Sequence, residues 1–126
     1  MLVVIAEKDP HELQALQAAF EASDCEVLAG YDGRVALTLT RERSPDAVVV
    51  TSSLGSMGGF AVAREIKTSA EAGEHRDPKV VVLLEREADV WLAGWSRCDA
   101  WLVKPVHPED VADLVRELLS PQAASA

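Results

Sequence analysis

Short runs of β-branched and aliphatic residues alternate along this chain with stretches of helical periodicity, and this alternation limits the fold more than any other feature of the sequence. The clearest runs, Ala47–Val50 and Val80–Leu84, contain no polar residue. Such runs are typical of strands buried on both faces of a parallel sheet. Five strands alternating with five helices predict a single doubly wound (βα)5 domain of the α/β class, with helices on both faces of a parallel sheet.

Helix signals and turn residues divide the strands from one another. Asp9 is a suitable N-cap, Pro10 follows at the first helical position, and Glu12 completes a capping box. We predict a domain over 1–120 and a flexible tail over 121–126, with a polar surface loop at 68–78. The predicted strands are 2–6, 25–29, 47–51, 80–84 and 99–103, and the predicted helices are 10–22, 35–43, 60–67, 88–96 and one from Pro108.

Composition excludes several classes of function. The 126 residues include 12 Lys and Arg against 21 Asp and Glu, and the net charge of −9 opposes binding to nucleic acid or to anionic lipid. Cys25 and Cys98 are far apart, which predicts neither a disulfide nor a metal site. No apolar run approaches the roughly 20 residues of a membrane span, and 1–6 is too short for a signal peptide. We therefore expect a cytoplasmic protein.

The segment DAVVVTSSLGSMGG, at 46–59, contains the candidate functional position. Thr51 ends the third strand, and ligands of open α/β sheets bind beyond the carboxyl ends of the strands. Glu7 and Lys8 follow the first strand and Lys104 follows the fifth, so we expect these side chains at the same edge. The Ser/Gly loop lacks the GK[ST] sequence of a P-loop.

Four motifs lie in order around the predicted strands: LVVIAEKDP, YDGRVAL, SPDAVVVTSSLGSMGGF and CDAWLVKPVHPEDV. Together they resemble the receiver domain of bacterial two-component response regulators, and the resemblance covers 2–119. It implies a sheet of strand order 2-1-3-4-5. It also implies phosphoryl transfer from a histidine kinase to an aspartate at the end of the third strand, assisted by Mg²⁺, an acidic pair, a hydroxyl and a lysine.

The chain departs from this pattern at most of the positions that carry the chemistry. Thr51 stands at the acceptor position, and the acidic pair is replaced by Glu7 and Lys8. The switch hydroxyl at the end of the fourth strand is absent, since Leu84 and its neighbours are apolar. Lys104 alone remains.

Charge predicts that the pocket has lost its metal. A family pocket with three carboxylates and one lysine carries about −2 and attracts a divalent ion, whereas Glu7, Lys8, Thr51 and Lys104 together carry about +1. We therefore expect no cofactor and no Mg²⁺ binding.

Lys8 is predicted to act as a counterion for Glu7. Asp9 is better suited to capping the first helix than to replacing a metal ligand. Pro105 follows Lys104, where the resemblance implies a cis peptide.

All three tryptophans of the chain fall within 11 residues. Trp91 and Trp95 are spaced i, i+4 and share a helix face. Trp101 matches the aromatic residue of the fifth strand that acts as a conformational switch in the family. One interpretation is an exposed patch on the face of the fourth helix, fifth strand and fifth helix, which family members use to dimerise or bind effectors. The alternative is that a Trp folds inward to fill the space beside Gly94.

These observations predict a degenerate receiver, or pseudo-receiver, that signals through a protein partner or a homodimer without aspartyl phosphorylation and is not an enzyme. One alternative is a receiver that responds to phosphorylation at a nonstandard site such as Thr51 or Ser52, although an alcohol of high pKa needs a general base to become a nucleophile. If Thr51 is not an acceptor, its hydroxyl is expected to cap a loop. A lesser alternative is an anion or small-molecule sensor that uses the lysines of the pocket.

Overall fold

The computed structural model of the protein describes residues 1–55 and 57–121. Its five strands form one parallel sheet of order β2-β1-β3-β4-β5, which confirms the predicted fold. The strands are β1 (Leu2–Ala6), β2 (Glu26–Gly30), β3 (Ala47–Thr51), β4 (Lys79–Leu84) and β5 (Ala100–Val103). The helices are α1 (Pro10–Ala22), α2 (Gly33–Arg43), α3 (Gly59–Glu71), α4 (Trp91–Ser96) and α5 (Pro108–Leu119), and a 3-10 turn spans Glu87–Asp89.

The central strand, β3, separates two hydrophobic cores. Its residues are fully buried, and they alternate between the two faces of the sheet. Val48 and Val50 pack in the core beneath α2, α3 and α4, whereas Val49 packs in the core beneath α1 and α5. In register, Val50 lies opposite Ala6 of β1 and Val82 of β4. The uninterrupted apolar runs therefore arise because both faces of each inner strand are covered.

Capping fixes where the first two helices begin. The side chain of Asp9 accepts hydrogen bonds from the backbone amides of Glu12 and His11, and these bonds lower the pKa of Asp9. Asp32 caps α2 in the same way, accepting from the amide of Val35 at 3.0 Å. Because a lowered pKa stabilises the fold only while the carboxyl is ionised, the contribution of Asp9 is lost as the pH falls below its ordinary value of 3.8.

The prediction for the third helix was wrong at its end, because α3 continues four residues beyond Lys67, to Glu71. Tertiary contacts extend the helix. The ammonium of Lys67 is buried and lies 2.7 Å from Asp99 Oδ2 and 3.0 Å from Asp77 Oδ1. Asp77, which lies in the segment predicted as a loop, thus forms an ion pair with α3.

The predicted helix 88–96 is also shorter than expected. A 3-10 turn, Glu87–Asp89, precedes α4, and Arg86 pairs with Asp89 across it. The predicted strand bounds differ from the observed bounds by no more than one residue. The predicted flexible tail, 121–126, lies outside the described residues after Pro121.

Two glycines test the close approach of α3 to the end of β3. A Cβ atom at Gly59 would overlap the carbonyl oxygen of Thr51, whereas one at Gly94 in α4 would meet open space. We expect Gly59→Ala to lower the free energy of unfolding by at least about 2 kcal/mol. Gly94→Ala should raise it by about 0.5 to 1 kcal/mol, because alanine favours the helix. Urea denaturation measures both, and equal effects would contradict the predicted overlap.

Candidate functional site

Thr51 and Glu7 form a buried pair at the carboxyl edge of the sheet. Thr51 ends β3, Glu7 follows β1, and both side chains are fully buried. The hydroxyl of Thr51 donates a hydrogen bond to Glu7 Oε2. The second oxygen of Glu7, Oε1, accepts from the backbone amide of Asp9 at 3.1 Å. The hydroxyl of Thr51 therefore holds a carboxylate and does not cap the following loop.

Lys104 brings a single ammonium group to three carboxylates. Its Nζ lies 2.8 Å from Glu7 Oε2, 2.9 Å from Glu12 Oε2 and 3.1 Å from Glu85 Oε1. The lysine follows β5, its backbone amide donates to the carbonyl of Leu84, and its peptide bond to Pro105 is cis. The three carboxylates around this ammonium thus come from three places: the residue after β1, the first turn of α1 and the residue after β4.

Burial and hydrogen bonding act in opposite directions on the pKa of Lys104. Burial lowers it, because burial disfavours the charged form. The hydrogen bonds donated to Glu7, Glu12 and Glu85 prevail and raise the pKa well above its ordinary value of 10.5. A raised pKa stabilises the fold below the ordinary value and loses that effect only as the pH rises beyond it. The ammonium is therefore charged, and its contribution is constant, from neutral pH to about pH 10.

The prediction that Lys8 is the counterion of Glu7 was wrong. Lys8 is exposed and donates to Ser53 Oγ at 2.8 Å, and Lys104 pairs with Glu7 instead. The reason is position: Glu7 directly follows β1 and is buried, whereas Lys8 lies in the bend that leads to α1 and is exposed.

Sequence reasoning missed Glu12 and Glu85. A signal for Glu85 was present, since it directly follows a parallel strand at the edge where ligands bind. Leu84, at the expected switch position, is buried in the core. Glu12 was assigned only to helix capping. With these residues the site holds three carboxylates and two ammonium groups, so its net charge is about −1 and not +1.

The donor set does not match the coordination that Mg²⁺ requires. Oxygen ligands must offer free lone pairs in near-octahedral geometry. Both oxygens of Glu7 already accept hydrogen bonds, from Thr51, Lys104 and the amide of Asp9. Within 1–55 and 57–121, no group of three or more Asp, Glu, His or Cys residues is arranged to hold a metal.

A cavity of about 310 Å³ opens beside this cluster, between the start of α1 and the segment that joins β5 to α5. Glu7 and Lys104 contribute its charged wall, and Leu16, Leu83 and Val106 contribute its apolar wall. Carboxylates already surround the ammonium of Lys104, so this cation is not free to bind an anionic ligand.

The three tryptophans are exposed, by 72% for Trp91, 46% for Trp95 and 42% for Trp101. None of them fills the space beside Gly94, which stays open. The guanidinium of Arg64 in α3 lies 4.9 Å from the ring centroid of Trp95 and donates to its carbonyl oxygen. Trp101 is in register with Val82, so its side chain leaves the sheet on the same face as α4.

Replacing Thr51 tests the buried pair. Thr51→Val keeps the shape of the side chain and leaves Glu7 with one donor fewer, so we expect a loss of about 1 to 3 kcal/mol in the free energy of unfolding. Thr40→Val is a matched control, because Thr40 is equally buried and its hydroxyl only adds a bond to a helix carbonyl, that of Ala36. Its loss should be smaller, and a larger loss at Thr40 would contradict the importance of the pair.

Several comparisons relate this arrangement to known proteins. A family model described as the response regulator receiver domain matches residues 3–116. Protein PilH of Pseudomonas aeruginosa is 27% identical over 120 residues, which cover 94% of this chain and 97% of PilH. The polar-differentiation response regulator DivK of Brucella ovis is 24% identical, with 93% of this chain and 94% of DivK covered. The chain spans only 52% of the transcriptional regulatory protein PrrA of Mycobacterium tuberculosis, with 27% identity.

Solved structures agree with the fold. A response regulator receiver domain protein from Clostridium thermocellum superposes with a TM-score of 0.82 at 20% identity, covering 99% of this chain and 98% of the other. The chemotaxis response regulator CheY4 of Vibrio cholerae gives 0.81 at 18% identity, covering 94% and 98%. No helix in the described part of the chain is long and apolar enough to cross a membrane. The chain therefore belongs to the response regulator receiver domain family, whose members act in two-component signalling.

Proposed function

We propose that this receiver is a pseudo-receiver, which signals through contact with another protein or a second copy of itself and does not depend on aspartyl phosphorylation or Mg²⁺. The observation that carries the proposal is the state of Thr51. Its hydroxyl is buried at the end of β3 and donates a hydrogen bond to Glu7. The carboxylate of Glu7 also accepts a hydrogen bond from Lys104. This edge of the sheet presents no free carboxylate at the acceptor position.

The phosphorylation-responsive alternative has less support. A phosphodonor would have to reach a fully buried Thr51, and Glu7 would have to give up its ion pair with Lys104 to serve as a base. Ser52 is more accessible, but its Oγ accepts from the amide of Glu85 and lies outside the carboxylate cluster. The anion-sensor alternative is weakened by the three carboxylates around Lys104.

The exposed tryptophans support the interaction role. We define the Trp surface as Trp91, Trp95 and Trp101. Large aromatic side chains are enriched among the residues that dominate binding energy at interfaces. A ring that is 72% exposed, as that of Trp91 is, leaves much apolar area for a partner to cover. We propose that the partner binds on the face of α4, β5 and α5, with an extension toward Arg64 of α3 beside Trp95.

Phosphoryl transfer is tested by titrating the protein with Mg²⁺ and then with acetyl phosphate or beryllofluoride. Because the carboxylates are already engaged, we expect no saturable change in tryptophan fluorescence and no phosphoryl adduct by intact mass. Thr51→Val and Ser52→Ala locate any adduct, because these residues are the candidate acceptors. A saturable Mg²⁺ response, or an adduct that either substitution removes, would overturn the proposal and identify a working switch with unusual ligands.

The Trp surface is tested by sedimentation equilibrium. If two copies associate through it, Trp95→Ala should weaken the dimer at least about tenfold, because a buried aromatic anchor contributes more than 1.4 kcal/mol. Tyr31→Ala is the matched control, since Tyr31 is 58% exposed and follows β2 at the opposite edge of the sheet. A protein that stays monomeric at every concentration would contradict the homodimer and leave a different protein as the partner.

A further inference from the structure

The cluster around Lys104 has the geometry of a cation site. Three carboxylates come from three separate places: Glu7 follows β1, Glu12 lies in the first turn of α1, and Glu85 follows β4. Each offers one oxygen within 3.1 Å of the same nitrogen atom. An ammonium group has three protons to donate, and here it has three carboxylate acceptors. Each of the three N–H groups of Lys104 can therefore donate to a different carboxylate.

The surroundings favour a fixed arrangement. The side chain of Lys104 is only 11% exposed and that of Glu7 only 1%, so their attraction is less screened than that of a surface pair. Without the ammonium, the buried carboxylate of Glu7 would lie close to those of Glu12 and Glu85, whose side chains are 49% and 39% exposed, so that water would screen only part of the repulsion. A cation between the three carboxylates therefore stabilises them, and the ammonium of Lys104 is that cation.

We propose that Glu7, Glu12 and Glu85 form an ammonium-binding site that the chain fills with its own Lys104, so that a tethered side chain takes the structural part that a divalent metal would take at this edge of the sheet. This inference rests on the proposed function, because it explains how the edge stays ordered without Mg²⁺. A tethered ammonium does not dissociate into solution, so the ends of β1, β4 and β5 are held in one arrangement at any metal concentration.

Chemical rescue tests the ammonium site directly. Lys104→Ala removes the side chain beyond Cβ, and n-propylammonium has the same atoms as the missing part. We expect Lys104→Ala to lower the thermal midpoint by about 5 to 10 °C, because a buried carboxylate loses its partner. Added n-propylammonium should then raise the midpoint of this variant saturably, by about 2 °C or more. Tetramethylammonium chloride at equal concentration controls for salt, because it has no N–H to donate.

Lys104→Met is the matched control for shape. Its side chain fills the same space without the charge, so n-propylammonium should leave its midpoint unchanged, as it should that of the unmodified protein. Three results would overturn the proposal: an unchanged midpoint for Lys104→Ala, equal stabilisation of all three proteins by n-propylammonium, or a saturable stabilisation of the unmodified protein by Mg²⁺.

A second measurement keeps the proposal testable if Lys104→Ala does not fold. Glu85→Gln should lower the midpoint of the unmodified protein, because the ammonium of Lys104 loses the negative charge of one of its three partners. The same change should raise the midpoint of Lys104→Met, where it removes a like charge near Glu7 and Glu12. A loss in both backgrounds would contradict the shared site. Stabilisation by Mg²⁺ would overturn both proposals. Failure of the rescue or of the Glu85→Gln comparison, with no effect of Mg²⁺, would overturn the ammonium site alone and leave the pseudo-receiver proposal intact.

Discussion

The ion pair between Lys104 and Glu7 is the interaction on which the carboxyl edge of the sheet depends. The two residues are 97 positions apart in the chain and follow β5 and β1, strands that are not neighbours. Glu7 is fully buried, and a buried carboxylate that loses its partner destabilises a protein strongly. Thr51 and the amide of Asp9 also donate hydrogen bonds to this carboxylate. Polar groups in this interior are thus satisfied as a set.

Chemistry at this edge follows from how that set is satisfied. In a parallel α/β sheet the carboxyl ends of the strands are where ligands bind, because loops and helix starts meet there. In this protein the same place is occupied by side chains of the chain itself. A hydroxyl, a carboxylate and an ammonium are bound to one another, and each is less available to a ligand or a metal than it would be alone. This closed arrangement is the physical basis of our proposal that signalling does not pass through phosphoryl transfer.

The Trp surface contributes little to the hydrophobic core, although exposing large aromatic side chains to water is unfavourable. Trp91 is 72% exposed, and Trp95 is 46% exposed with the guanidinium of Arg64 4.9 Å from its ring centroid. The fold is complete without them, since β5 is held by pairing with β4 and by core contacts of Leu102 and Val103. An exposed Trp surface and a cluster of side chains that bind one another are therefore compatible features of one receiver domain.

The sequence by itself determined the fold class and the strand bounds to within one residue, because apolar runs and turn residues act locally. It did not determine which groups pair. Lys8 was predicted to pair with Glu7, but Lys8 donates to Ser53, and Lys104 from beyond β5 pairs with Glu7. Glu85 joined the cluster through its contact with Lys104, and α3 extended past Lys67. Side-chain direction and long-range pairing are properties of the assembled sheet, so tertiary structure alone decided them.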